Sequence, residues 1–172
     1  QPLIDQGRRR IAVVGAHAGE TMGSAALRVL GYQAALAANG IPLDPDLIVE
    51  GGLWHRATGA ESTYRLLDAG VEIDAIFGLN DALALGALHA LHDRGVDVPR
   101  EVAVIGFDDI EDAAYTSPPL SSVAPGREQI AATAVDLLLA RIAGSTDPYR
   151  RVITDFEVVP RESSGAVAPA SA

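Results

Sequence analysis

The sequence predicts an α/β domain: a parallel sheet with helices on both faces. Three observations carry that expectation. Short apolar runs without alternation recur at residues 11–14, 47–49, 75–77 and 102–105, the pattern of strands buried on both sides. Stretches with helical spacing of apolar residues separate them, giving strand and helix in alternation three times before a fourth strand. Polar and aromatic residues stand just beyond the runs, where an open parallel sheet gathers ligands.

Taken in order, residues 11–14 (IAVV) form the first strand, and residues 15–23 (GAHAGETMG) a loop. Its glycines are spaced, but not as G-x-G-x-x-G, so a dinucleotide site is poorly supported. Residues 24–39 read as a helix, with Leu27, Leu30, Ala34 and Ala37 or Ala38 as its apolar stripe. Asn39-Gly40 supplies a stop, and Pro42 forbids continuation. Arg28 lies in the first turns, off that stripe. It is either a solvated surface arginine or a long cation within reach of a ligand at the strand exit.

The second strand is residues 47–49. Trp54, the only tryptophan, follows it. It is either a stacking wall for a ring-shaped ligand or a cover for the core edge. Thr58 and Glu61 have capping-box spacing and open a helix with Ala60, Tyr64 and Leu67 on one face, ended by Gly70. After the third strand, residues 75–77, Asn80-Asp81 begins a helix striped by Ala84, Leu88 and Leu91. One of the pair suffices as a cap, which leaves the other for a ligand. His89 and His92 stand three apart, but no third metal ligand accompanies them, so they read as solvated. No metal or cofactor is expected.

Residues 102–105 (VAVI) form the fourth strand, which Gly106-Phe107 ends. Asp108 and Asp109 follow as a helix cap or a ligand pair. Pro118-Pro119 then interrupts regular structure. Residues 120–123 are short and extended, and Pro125 can begin a helix carrying Ile130, Ala134, Leu137, Leu138 and Ile142, ended by Gly144. Residues 150–160 suit one or two strands. Residues 163–172, rich in Ser, Ala, Gly and Pro, are expected to be disordered.

Composition narrows the function. Net charge is −10, which argues against nucleic-acid binding by this chain itself. Arg8 to Arg10 form the one basic cluster and lead into a strand. All 13 basic residues are arginine, so a P-loop lysine and Schiff-base chemistry are excluded. With no cysteine there is no disulfide or thiolate site. No apolar run reaches the roughly 20 residues of a membrane helix, and the first residues do not read as a secretory signal. Parallel strands share one carboxyl edge, so Arg28, Trp54, Asn80 and Asp108 converge on one rim. That convergence points to a small-molecule site.

Five segments resemble the effector-binding region of lactose/galactose-repressor-type (LacI/GalR) transcriptional regulators. They are GRRRIAVVG (7–15), SAALRVLGYQAAL (24–36), GLNDALALGALHALHDRGVDVP (78–99), EVAVIGFDDIEDAAYTSPPLSSV (101–123) and VVPRESSG (158–165). The resemblance implies a periplasmic-binding-protein-like fold of two lobes with the effector between them. It places residues 8–118 and 146–162 in the distal lobe. Residues 119–145 would be a strand and helix of an otherwise missing proximal lobe, with Pro118-Pro119 as the hinge. It implies effector contacts at Arg28, Asn80 and Asp108, with Trp54 as the aromatic wall. It further implies a cytoplasmic, homodimeric, non-enzymatic regulator of a sugar response. DNA would be bound only through an absent helix-turn-helix domain, and no membrane would be involved. With half the cleft missing, the chain alone is expected to bind effector weakly or not at all. The helix after Pro125 should then pack on a second copy or be poorly ordered. A sugar-binding protein of a transporter is the alternative. A magnesium-dependent phosphoryl-transfer enzyme using Asp108 and Asp109 is disfavoured, because the lysine that such a site expects is lacking.

Overall fold

A computed structural model describes residues 1–165. Six strands form one sheet in the order β2-β1-β3-β4-β5-β6. They are β1 (Ile11–Ala16), β2 (Ile48–Glu50), β3 (Ala75–Gly78), β4 (Ala103–Phe107), β5 (Ser121–Ala124) and β6 (Glu157–Val159). The first five pair in parallel, and β6 runs antiparallel to β5. The sheet is therefore mostly parallel, as expected. Its central strands are the apolar runs of the sequence: Ala12, Val13, Val14, Ala75, Ile76, Ala103 and Val104 are fully buried.

One face is sealed by two helices, α3 (Arg56–Asp68) and α4 (Asp81–Asp93). They approach closely because Gly86 has no side chain: a Cβ there would collide with the Arg56 carbonyl oxygen. Leu83, Ala84, Ala87, Leu88 and Leu91 of α4 fill the space against the sheet. The helix α2 (Ser24–Ala38) lies on the opposite face, beside the short α1 (Pro2–Asp5), which buries Leu3 and Ile4. Past α2 that face stays open. A cavity of about 670 Å³ is walled there by Tyr32, Phe77, Ile105, Phe107 and Val158.

Several expectations are corrected. The α2 stripe is wrong: Leu27 and Leu30 are 58% and 55% exposed, while Ala25, Tyr32 and Leu36 are buried. The Tyr32 hydroxyl donates to the Ile11 carbonyl at 2.9 Å and fixes the helix rotation, so the polar tether decides which face is buried. Thr58 and Glu61 are no capping box. His55 is the N-cap, its backbone oxygen accepts from Gly59, and Thr58 lies inside the helix. Gly106 and Phe107 continue β4 instead of ending it, because both residues pair with β5.

The segment after Pro119 divides in two. Its strand, expected to belong to another lobe, is β5 of this sheet, with Ser121 and Ser122 fully buried. Its helix, α5 (Arg127–Ile142), has no buried residue. Residues 150–160 contribute one strand only. Ser163 and Ser164, expected in a disordered tail, are buried in a 3-10 turn (Glu162–Ser164). Ser163 Oγ donates to the Val104 carbonyl at 2.7 Å and accepts from the Ser121 backbone N–H at 2.8 Å. The rest of the expected tail, residues 166–172, lies outside the described residues.

Candidate functional site

The carboxyl ends of β1, β3 and β4 form a rim that gathers three of the four predicted residues around one cation. Arg28, in the second turn of α2, extends across the open face to the end of β4. Its guanidinium carbon stands 3.7 Å from the Phe107 ring centre and 5.2 Å from that of Trp54. Its Nη2 is 3.6 Å from Asp108 Oδ1, and its Nη1 donates to the Leu79 carbonyl. Lying over one ring and beside a second suits a weakly hydrated planar cation. Burial lowers the Arg28 pKa against the opposing pull of Asp108 and Asp81. Burial raises that of Asp108, with Arg28 and Arg127 opposing. The pair is therefore incompletely solvated, and hydroxyl groups arriving there would replace missing water contacts.

Trp54 is held by its indole N–H, which donates to the Gly15 carbonyl at 2.9 Å. The His17 ring lies 5.8 Å from it, tilted by 39°. Both His17 nitrogens face acceptors, Glu20 Oε2 and the Gly52 carbonyl, each at 2.9 Å. Two acceptors demand two ring protons, so this arrangement favours imidazolium. The His17 pKa is correspondingly raised, first by the Gly52 carbonyl and then by Glu20.

Asn80 is placed differently. Its side-chain oxygen accepts from the Leu83 backbone N–H at 2.9 Å and caps α4. Any ligand contact from Asn80 thus falls to its amide nitrogen. Asp81, the other half of the Asn-Asp pair, is fully buried and points inward. Its oxygens accept from Ser122 Oγ at 2.6 Å and from the Ile110 backbone N–H at 2.9 Å. Burial raises its pKa, and these donors oppose the shift. Gly106 makes room: a Cβ there would collide with Asp81 Oδ1.

Asp108 and Asp109 have φ of +111° and +48°. Two consecutive non-glycine residues at positive φ cost about 1–3 kcal/mol each and persist only where neighbours over-determine them. Sequence reading missed Phe107, taken there as the strand's end, and also His17 and Glu20. Strand alternation could have placed Phe107 beside Ile105 on the open face. Nothing in the sequence signals the His17–Glu20 pair. His89 and His92 are exposed on α4, and among the described residues no cluster suits a metal ion. No helix among them is long and apolar enough to cross a membrane.

A mostly parallel sheet with its polar rim at the strand ends defines the class: residues 1–164 match the family of periplasmic binding protein-like domains. Within that class the chain belongs to the LacI family of transcriptional regulators. It is 50% identical to a LacI-family regulator of Sanguibacter keddieii, with a TM-score of 0.91 over 96% of this chain and 61% of that one. It is 38% identical to the HTH-type transcriptional regulator MalR of Clostridium butyricum over 136 residues, 79% of this chain and 40% of MalR. It is also similar to a CelR–cellobiose complex, at 35% identity and a TM-score of 0.84, covering 94% of this chain and 48% of that one. The chain thus spans 40–61% of the length of these relatives. These relatives are transcriptional regulators, not enzymes.

Proposed function

We propose that this chain is the effector-sensing part of a sugar-responsive LacI-family regulator. Arg28, Asn80 and Asp108 hydrogen-bond sugar hydroxyls, and Trp54 packs on the sugar face. The observation that carries this reading is the Arg28 guanidinium, lying over Phe107 and beside Trp54 with Asp108 at its edge. That combination offers charge-assisted donors and acceptors next to aromatic surface, which is what a sugar's hydroxyls and C–H face require. The cellobiose bound by the similar CelR supports a sugar as the ligand class.

In the whole regulator, effector between two lobes biases their orientation, and this changes DNA binding by a helix-turn-helix domain. The parent is cytoplasmic and homodimeric, and touches DNA only through that domain. Residues 8–124 and 146–164 belong to the distal lobe, with β5 in its sheet, and α5 reaches into the proximal one.

Nuclear magnetic resonance titration of the chain with cellobiose, glucose and ribose tests the site. We expect weak, millimolar binding that moves the Arg28, Trp54, Asn80 and Asp108 signals and is lost in Asp108→Asn. Binding that leaves these signals unmoved, or no perturbation at tens of millimolar sugar, overturns the reading.

A further inference from the structure

The turn that carries Asp108 is anchored from four elements at once. The Asp108 backbone N–H donates to the Val123 carbonyl of β5 at 2.9 Å, and the Asp109 N–H to Ser122 Oγ at 3.0 Å. Asp81, at the start of α4, accepts from both Ser122 Oγ and the Ile110 N–H. Arg127, the first residue of α5, donates to the Asp109 carbonyl at 3.0 Å. Arg161, after β6, brings Nη2 to 2.8 Å from Asp109 Oδ1 while its Nη1 donates to the Leu120 carbonyl at 2.7 Å. Asp109 Oδ1 has no hydrogen bond of good direction, so its hold on Arg161 is Coulombic attraction between two side chains that are each 20% exposed.

These anchors fall on Asp109 and its neighbours, yet the residue they aim is Asp108. With φ of +111° and +48° the turn would relax if released, and Asp108 would leave Arg28. Asp109 contributes no atom to the rim contacts of Arg28, so its carboxylate has work only on the inner side. We infer that Asp81, Ser122, Asp109 and Arg161 form a positioning assembly that holds the Asp108 carboxylate against Arg28 at the effector rim, with Arg127 tying α5 to the same turn. The inference rests on the reading of Asp108 as an effector-binding residue, and assigns a second set of residues to that site.

The test needs no sugar. The Arg28 Nε–H lies under the Phe107 ring current, and the Trp54 indole N–H reports the neighbouring ring, so both serve as resonance probes of the rim. Asp109→Gly permits positive φ freely and removes the carboxylate together with its Cβ, while Arg161→Gln removes the opposing charge. Each should move both probes toward their positions in Asp108→Asn, with the amide signals of β1, β3 and α4 unchanged. Adding Asp108→Asn to Asp109→Gly should then produce no further movement, because the two substitutions break one contact. Probes that stay in place in either single variant, or shifts that add in the double variant, overturn the inference. A failed sugar titration with these shifts intact would instead overturn the effector reading alone.

Discussion

The two faces of the sheet are built from similar amounts of apolar sequence and end in opposite states. On the α3/α4 face, Leu83, Leu91, Ala84 and Ala87 are fully buried. On the α2 face, Leu27 and Leu30 point outward and a cavity lies open beside Ile105 and Phe107. The difference teaches where rigidity and function separate. The sealed face supplies the core and holds the strand ends at fixed spacing. The open face leaves Arg28 free to cross from α2 to the end of β4 and present its charge at the rim. A site that must take and release a ligand draws on the less packed side of the fold.

The largest expected effect contrasts the faces directly. Leu83→Ala should cost about 2–5 kcal/mol in urea unfolding, since a fully buried leucine leaves a cavity that helices in contact cannot collapse. Leu30→Ala should change stability by less than about 0.5 kcal/mol, as exposed positions do. A large loss from Leu30→Ala would mean that a second copy covers the open face in solution.

A smaller effect tests α5, whose Ile130, Leu138, Leu139 and Ile142 are 45–73% exposed. Leu138→Asp should leave the melting temperature of the monomer unchanged while lowering any self-association seen by sedimentation. Unaltered self-association would show that α5 takes no part in it.

The smallest expected effect lies at the rim itself. The folded-state pKa of His17 is raised, so its contacts with Glu20 and Gly52 contribute stability that is fully present below the unfolded value of about 6.5. That contribution is lost as pH rises through the higher folded value. Trp54 emission should follow the same titration, because the imidazole lies against the indole, and His17→Gln should abolish it. A pH-independent emission in the unsubstituted chain would show that the His17 contacts with Glu20 and Gly52 do not form.

The sequence by itself determined the order of strands and helices, the burial of the central strands and three of the residues that meet at the rim. Apolar runs between helical stripes admit few topologies, and parallel strands place their ends on one edge. Trp54 and Asp108 could be named because each follows the end of a strand, and Arg28 because it lies at the start of the helix after the first strand. Which stripe of α2 faces inward was not legible, since the Tyr32 hydroxyl reaching the Ile11 carbonyl settles it across 21 positions of sequence. Nor could sequence divide Asn80 from Asp81: both cap helices well, and Asp81 is drawn inward by the Ile110 backbone N–H and by Ser122, arriving on β5 41 residues later. The same holds for Asp109 and Arg161, and for Ser163 in a stretch whose composition suggests disorder. Their partners are distant in the chain, and a contact between distant segments is decided only when the sheet brings its strands together.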